Sequence, residues 1–392
     1  MNTGLFPIFD RFPYPAFIQA SMLLSWLFLV LCFLQVFILL LTLFAFSRAS
    51  RQCVTTSGAH SKKPSVSVVI CAHNEADNLQ ELLPLLYQQD YSPKEVVIVD
   101  DRSTDNTYAF LTLQTEAHPE LKILQIHDHK AASGKKRALM QGIQLAQHEI
   151  ILLTDADCRP DSDQWIQAMC HHFVNKDIQI VLGYAPYFQQ NGLLNAFIRY
   201  ETLYTAIFYL SAGLLGFPYM GVGRNLAYRK SLFMRNNSFS KHAAMLGGDD
   251  DLFVNQHANR KNTCVALDTK AHVRSIPQTS WKNFLSQKHR HLEAGKYYRF
   301  SDKVWLGTAV LSHLFFWICF CLFLLYDFSS PYIIICGFLI RVICLIIVYK
   351  YVSHKLNDRI NLKSLVILDF LFVIYYVITG IKAFFFKKRR WK

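Results

Sequence analysis

The chain has 392 residues, enough for one large domain or two of ordinary size. It is 52% hydrophobic and only 18% charged, against roughly 25% charged for a soluble domain, which argues against a wholly water-exposed protein and for a part that faces lipid. The formal net charge of +13 suits an anionic lipid or an anionic substrate, and with no zinc-finger spacing or aromatic–basic repeat, nucleic acid is not an expected partner.

Ala16 to Phe46 is an almost unbroken apolar run, longer than the roughly 20 residues needed to cross a bilayer. It is too long for a signal-peptide core and lacks a clear small-residue cleavage site, so residues 16–47 read as a retained anchor. Arg48, Arg51, Lys62 and Lys63 follow, which places the next segment in the cytoplasm and the protein in the inner or plasma membrane. The ten cysteines are scattered without a Cys-x-x-Cys pair, as expected of reduced thiols and not of a disulfide frame.

From Ser65 to about Asp268 the pattern changes. β-rich runs over 65–72, 95–101, 121–128, 149–157 and 178–186 alternate with helical stretches over 78–90, 107–117, 135–147 and 163–174. That rhythm predicts an α/β domain with a mainly parallel sheet covered by helices on both faces. Ligands of such sheets sit beyond the carboxyl ends of the strands, and the polar residues collect there. "CAHNEADNL" brings Asn74 and Glu75 to a strand end, as helix caps or as nucleotide contacts. "VVIVDDRSTDNT" brings Asp101, a candidate partner for ribose hydroxyls or a base edge, with Ser103, Thr104 or Asp105 as helix caps. "SGKKRALMQGI" has Gly134, which lets a ligand approach the backbone, and Lys135 at a helix start. A diphosphate contact and a solvated basic turn are both open there, and Walker spacing is absent.

"ILLTDADCRP" ends an oily run with Asp155 and Asp157. Residues i and i+2 of an extended chain point to one side, so the two charges repel unless a cation lies beside them. A divalent ion and a solvated acidic turn are the alternatives. "LGGDDDLFV" precedes an apolar helical run, so one of its carboxylates should be an N-cap, kept ionised by the helix terminus as a general base requires.

Residues 191–218 are aromatic and apolar, interrupted by Arg199 and Glu201. They predict either helices against the membrane or an acceptor groove, or a plain core helix. Three further apolar segments follow, about Val304–Tyr326, Tyr332–Tyr349 and Leu365–Phe386, before the basic tail 387–392. One anchor and three crossings leave that tail outside, against the positive-inside tendency. A re-entrant C-terminal segment, or a hairpin within the N-terminal run, would resolve it. Asp369 and Lys382 make the last segment a poor span.

In order, "SVVICAHNEADNL", "VVIVDDRSTDNT", "GKKRAL", "LLTDADC", "GVGRNLAYRK", "GGDDDLF" and "QKHRH" resemble the membrane-bound family 2 glycosyltransferases, over about Ser65 to Arg299. This group includes cellulose, chitin and hyaluronan synthases and smaller transferases to lipids. The resemblance implies a GT-A fold over residues 65–300, held by the anchor and by a C-terminal membrane region, 304–386. It implies a nucleotide-sugar donor, commonly a UDP-sugar, and Mg²⁺ or Mn²⁺. Carried over by position, Asp101 is the nucleoside-contacting acid with Asn74 and Glu75 nearby, and Lys135 faces the nucleotide. Asp155 and Asp157 form the Asp-x-Asp metal site, Asp157 being the direct ligand. Asp250 is the catalytic base, or Asp249 in the other register. Gln287 and Arg290 match the Gln-x-x-Arg-Trp motif, for the acceptor and the diphosphate, but His291 stands where Trp belongs.

The expected function is an inverting, metal-dependent transfer of one sugar to a lipid or glycan acceptor. A processive synthase that extrudes its product, and a non-catalytic nucleotide-binding scaffold, are the alternatives. The departure at His291 weighs against a long polymer channel. No Gly-x-Ser-x-Gly elbow supports a hydrolase, and the polar middle region is too large for a transporter loop.

Overall fold

The computed structural model describes residues 14–52, 63–127, 135–235, 248, 250–325 and 331–385. The sheet domain runs β1 (Val66–Ala72), α2 (Ala76–Tyr87), β2 (Lys94–Asp101), α3 (Thr107–Ala117), β3 (Leu121–Ile126), α4 (Lys135–Leu145), β4 (Ile150–Leu153), β5 (Cys158–Pro160), α5 (Trp165–Cys170) and β6 (Ile180–Leu182), after the long helix α1 (Tyr14–Gln52). It continues through α6 (Leu193–Leu215), β7 (Leu226–Arg229), α7 (Lys230–Arg235), α8 (Asp251–His257), β8 (Thr263–Val265), β9 (Val273–Ser275) and α9 (Trp281–Gly295). Three apolar helices close the chain: α10 (Phe300–Leu325), α11 (Pro331–Lys355) and α12 (Leu365–Phe385).

Seven strands form one sheet in the order β3-β2-β1-β4-β7-β6-β8. β1 pairs in parallel with β2 and with β4, and only β7 runs against its neighbours. The strands read as continuous apolar runs because both faces are covered. Val66, Val68 and Ile70 pack with Leu79, Leu82 and Trp165 on one face. Val69, Val97 and Ile151 pack with Leu139, Ile143 and Phe197 on the other. Helix α4 lies so close to the sheet that a Cβ at Gly142 would stand 2.8 Å from Val69 Cγ1 and 2.9 Å from Val99 Cγ2. Gly142→Ala should therefore lower unfolding stability by about 1–3 kcal/mol through overpacking, read by denaturation of the detergent-solubilised chain.

Four helices among the described residues are long and apolar enough to cross a membrane: Ser21–Ala49 within α1, α10, α11 and Leu362–Gly380, which takes in most of α12. Helix α1 is continuous, so the N-terminal run is not a hairpin. The tail 387–392 lies outside the described residues. The acid that made the last segment a poor span is buried and neutralised. Asp369 accepts hydrogen bonds from Arg341 Nη1 (2.5 Å) and Nη2 (3.0 Å), Trp317 Nε1 (2.8 Å) and Tyr200 OH (3.0 Å), with His313 Nε2 at 3.2 Å. Arg341 Nη2 also reaches Gln35 Oε1 at 3.5 Å. One carboxylate thus ties α6, α10, α11 and α12 together, and α1 joins through Gln35.

Helix α6 takes up most of residues 191–218 and packs into the core along one side. Its Phe197, Tyr200 and Leu203 are buried, while its exposed edge faces a cleft. The two charges that interrupt it are both paired. Arg199 donates to Asp358 at 2.8 Å, in the turn between α11 and α12, and Tyr184 OH donates to the same carboxylate at 2.5 Å. Glu201 is ion-paired with Lys288 of α9.

Candidate active site

Strand order reverses at β1, which has β2 on one side and β4 on the other. Chains leaving adjacent strands in opposite directions open a crevice beyond their carboxyl ends. A cleft of ≈ 790 Å³ lies here, lined by His73 and Glu75 after β1 and by Asp155 and Asp157 after β4. Lys135 at the start of α4, Asp250 before α8 and Gln287 on α9 share it. Six of the residues singled out from sequence are thus brought to one cavity: Glu75, Lys135, Asp155, Asp157, Asp250 and Gln287. The same cavity runs on to Val310 and Leu311 of α10 and to Phe372, Tyr375 and Tyr376 of α12.

Lys135 Nζ lies 2.6 Å from Asp155 Oδ1. Asp157 keeps a partly exposed edge, but the protein packed around it and the neighbouring charge of Asp155 push its pKa up to about 6. Glu75 adds to this and Arg224 opposes it. Two carboxylates lining one cleft, where burial disfavours the charge of Asp157, suit a hard cation. Among the described residues no three His, Cys, Asp or Glu side chains gather into a ready-made cage, so the remaining oxygens would come from water or a ligand.

Asp250 is the N-cap of α8, as the pattern predicted for one carboxylate of the cluster. Its Oδ1 accepts from Asp251 N (2.8 Å) and its Oδ2 from Gly223 N (2.6 Å). Gly248 delivers the turn with φ +81°, where a Cβ would meet Leu252 Cδ1 at 2.6 Å, so only glycine fits. Asp251 also lines the cleft, but its oxygens accept from Leu252 N (2.7 Å) and Tyr298 OH (3.0 Å). Asp249 and Gly134 lie outside the described residues. Arg290 and His291 sit on α9, but their side chains are not among those described.

Asn74 and Asp101 stand behind the lining. Asn74, at φ 58°, accepts from Thr104 N (2.8 Å) and donates its own N–H to Ser103 Oγ (2.9 Å). Ser103 and Thr104 therefore brace the β1 loop and do not cap α3. Asp105 supports that helix, its Oδ1 accepting from Thr107 N at 3.0 Å. The Asp101 carboxylate is ion-paired with Arg102 at 2.7 Å, and its carbonyl lies 2.6 Å from His73 Nδ1.

The segment "GVGRNLAYRK" carries Arg224, which no sequence pattern singled out. This side chain lines the cleft, its guanidinium 4.3 Å from the centroid of the Tyr187 ring. The one available signal was an arginine next to the glycine of that motif. The Glu201–Lys288 pair had no local signal.

Residues 67–235 match the model of glycosyl transferase family 2. The chain is 32% identical over 131 residues to glycosyltransferase AglE of Haloferax volcanii, a stretch covering 33% of this chain and 42% of the relative. It is 29% identical over 104 residues to poly-beta-1,6-N-acetyl-D-glucosamine synthase of Staphylococcus epidermidis, covering 26% of this chain and 24% of the relative. The chain thus spans less than half the length of either curated relative. Among solved structures, mannosyltransferase PcManGT from Pyrobaculum calidifontis, in complex with GDP-Man and Mn²⁺, superposes with a TM-score of 0.61 at 17% identity, over 93% of this chain and 100% of that one.

Proposed function

Residues 67–235 form a family 2 glycosyltransferase domain within a GT-A fold, and from that premise we propose that the chain transfers one sugar from a nucleotide diphosphate sugar, a UDP-sugar by preference, to a membrane-lipid acceptor, with inversion. The observation that carries this reading is a single cavity. It joins Asp155, Asp157 and Asp250 to the aromatic and apolar side chains of α10 and α12. A donor would enter from the polar end, while an acceptor's apolar tail would occupy the end walled by Val310, Leu311 and Phe372. Residues 65–300 do the chemistry, and 16–47 with 304–386 hold it at the cytoplasmic face of the membrane. The basic residues Arg48 and Arg51 at the end of α1, with Lys62 and Lys63 beyond it, favour that side.

In this mechanism the acceptor hydroxyl oxygen attacks the anomeric carbon as its proton passes to Asp250, and the bond from that carbon to the diphosphate breaks. The electron pair leaves with the diphosphate. The hydrogen bonds from Gly223 N and Asp251 N hold the Asp250 carboxylate in place. Lys135 and Gln287 bind at the donor and acceptor ends. Mg²⁺ or Mn²⁺, held by Asp157 with Asp155, would supply neutralisation of the diphosphate charge. The Mn²⁺ in the complex of PcManGT supports this choice of ion. Accordingly, EDTA should stop transfer and added Mn²⁺ or Mg²⁺ should restore it.

Tyr204, Phe372 and Tyr376 favour a second reading, since aromatic walls also stack sugars. Membranes incubated with labelled UDP- and GDP-sugars separate the two. One organic-soluble product supports single transfer to lipid, whereas a ladder of long products establishes a polymerase. Nucleotide binding without transfer or hydrolysis would leave only a scaffold.

A further inference from the structure

Two described cations line the polar end of the cleft near Asp155 and Asp157. Lys135 is already engaged by Asp155 at 2.6 Å. Arg224 is different. Its guanidinium lies over the Tyr187 ring, 4.3 Å from the centroid, and its buried Nη1 has no hydrogen-bond partner among the described residues. Its charge is felt by both Asp155 and Asp157. The residue before it, Gly223, donates its N–H to Asp250 and lies so close that a Cβ there would stand 3.1 Å from Asp250 Oδ2. One short turn, Gly223–Asn225, thus holds the proposed base through Gly223 and brings the Arg224 guanidinium into the cleft that Asp155, Asp157 and Asp250 line.

A buried donor without a partner is expensive to keep, and a guanidinium is suited to phosphate oxygens by charge and by its planar fork of N–H groups. Building on the glycosyltransferase reading, we infer that Arg224 binds the β-phosphate of the donor and holds the departing diphosphate. Lys135 shares its ammonium with Asp155, so at the donor end it assists Arg224. Its place over the Tyr187 ring means that little side-chain freedom is lost when Arg224 meets its ligand. The unpartnered Nη1 is then satisfied only in the donor and product complexes.

The test is binding to the full-length chain in detergent with Mn²⁺, by calorimetry, using UDP, GDP, UMP and GMP as probes. Arg224→Gln should raise the Kd of the bound nucleoside diphosphate at least about tenfold, the scale of one charge-assisted hydrogen bond. The Kd of the matching monophosphate, which lacks the β-phosphate, should stay within about twofold. Arg224→Lys should fall between the wild-type protein and Arg224→Gln, because it keeps the charge and loses the fork. Equal weakening of di- and monophosphate would mean general damage to the pocket and overturn the assignment, as would an unchanged diphosphate Kd. A wild-type chain that binds neither UDP nor GDP would sink the donor reading itself. Normal wild-type binding with an insensitive Arg224→Gln would sink the Arg224 inference alone. An acceptor phosphate as the true ligand would appear as unchanged nucleotide binding with a raised KM for the lipid, which also overturns it.

Discussion

Asp250→Asn should cut the rate of sugar transfer by about 10²–10⁴-fold, the usual worth of a positioned general base, while the donor still binds. The substitution keeps the shape of the side chain and removes its ability to take a proton. It also replaces one acceptor oxygen with an amide donor, which then faces the N–H of Gly223 or of Asp251. A loss of about 0.5–2 kcal/mol in stability should accompany it, as for other damaged N-caps. Nucleoside diphosphate binding therefore has to be measured beside turnover, so that a fallen rate is not read from an unfolded protein. Asp249→Asn is the companion variant. Transfer that survives in Asp249→Asn and vanishes in Asp250→Asn places the base at Asp250, and the reverse places it at Asp249. Because Asp250 is anchored by two backbone N–H groups and lines the cleft, the first outcome is expected.

Asp369→Asn should destabilise the protein by about 3–5 kcal/mol, because Arg341 would be left charged in an apolar bundle without its counter-ion. Thermal unfolding in detergent reads this directly. The double substitution Asp369→Leu with Arg341→Met should recover most of the loss. Two charges taken from water gain little net free energy from one another, and well-packed apolar groups can replace such a pair. Trp317 Nε1 and Tyr200 OH would lose their acceptor in the double variant, which keeps the recovery incomplete. A double variant no more stable than Asp369→Asn alone would show that the wider network, and not the ion pair, carries the effect. Phe372 stands one helical turn beyond Asp369 and lines the cleft, so Asp369→Asn should also raise the KM for the acceptor more than that for the donor.

Local pattern determined much of this protein. Continuous apolar runs bounded by polar turns identified five strands of the main sheet or its edges, since a strand buried on both faces has no room for polar side chains. The same logic located the polar cluster, because only the strand ends reach solvent. The apolar lengths after residue 300 identified α10, α11 and α12 without reference to any partner. Roles that depend on a distant partner were not legible. Even the pairing of Asp101 with its neighbour Arg102 was hidden, because it follows from a backbone twist at Arg102, φ 60°, that leaves no trace in composition. Asp369 looked like a flaw in a membrane span until Arg341 was brought beside it. Arg224 became a candidate only when folding set it over Tyr187 with an unused donor. Sequence by itself determined which segments leave water, for the sheet core or for lipid, because that follows from hydrophobicity along the chain. Which charge meets which, and which donor is left open, was decided by the tertiary structure alone, because electrostatic partnership depends on distance in space.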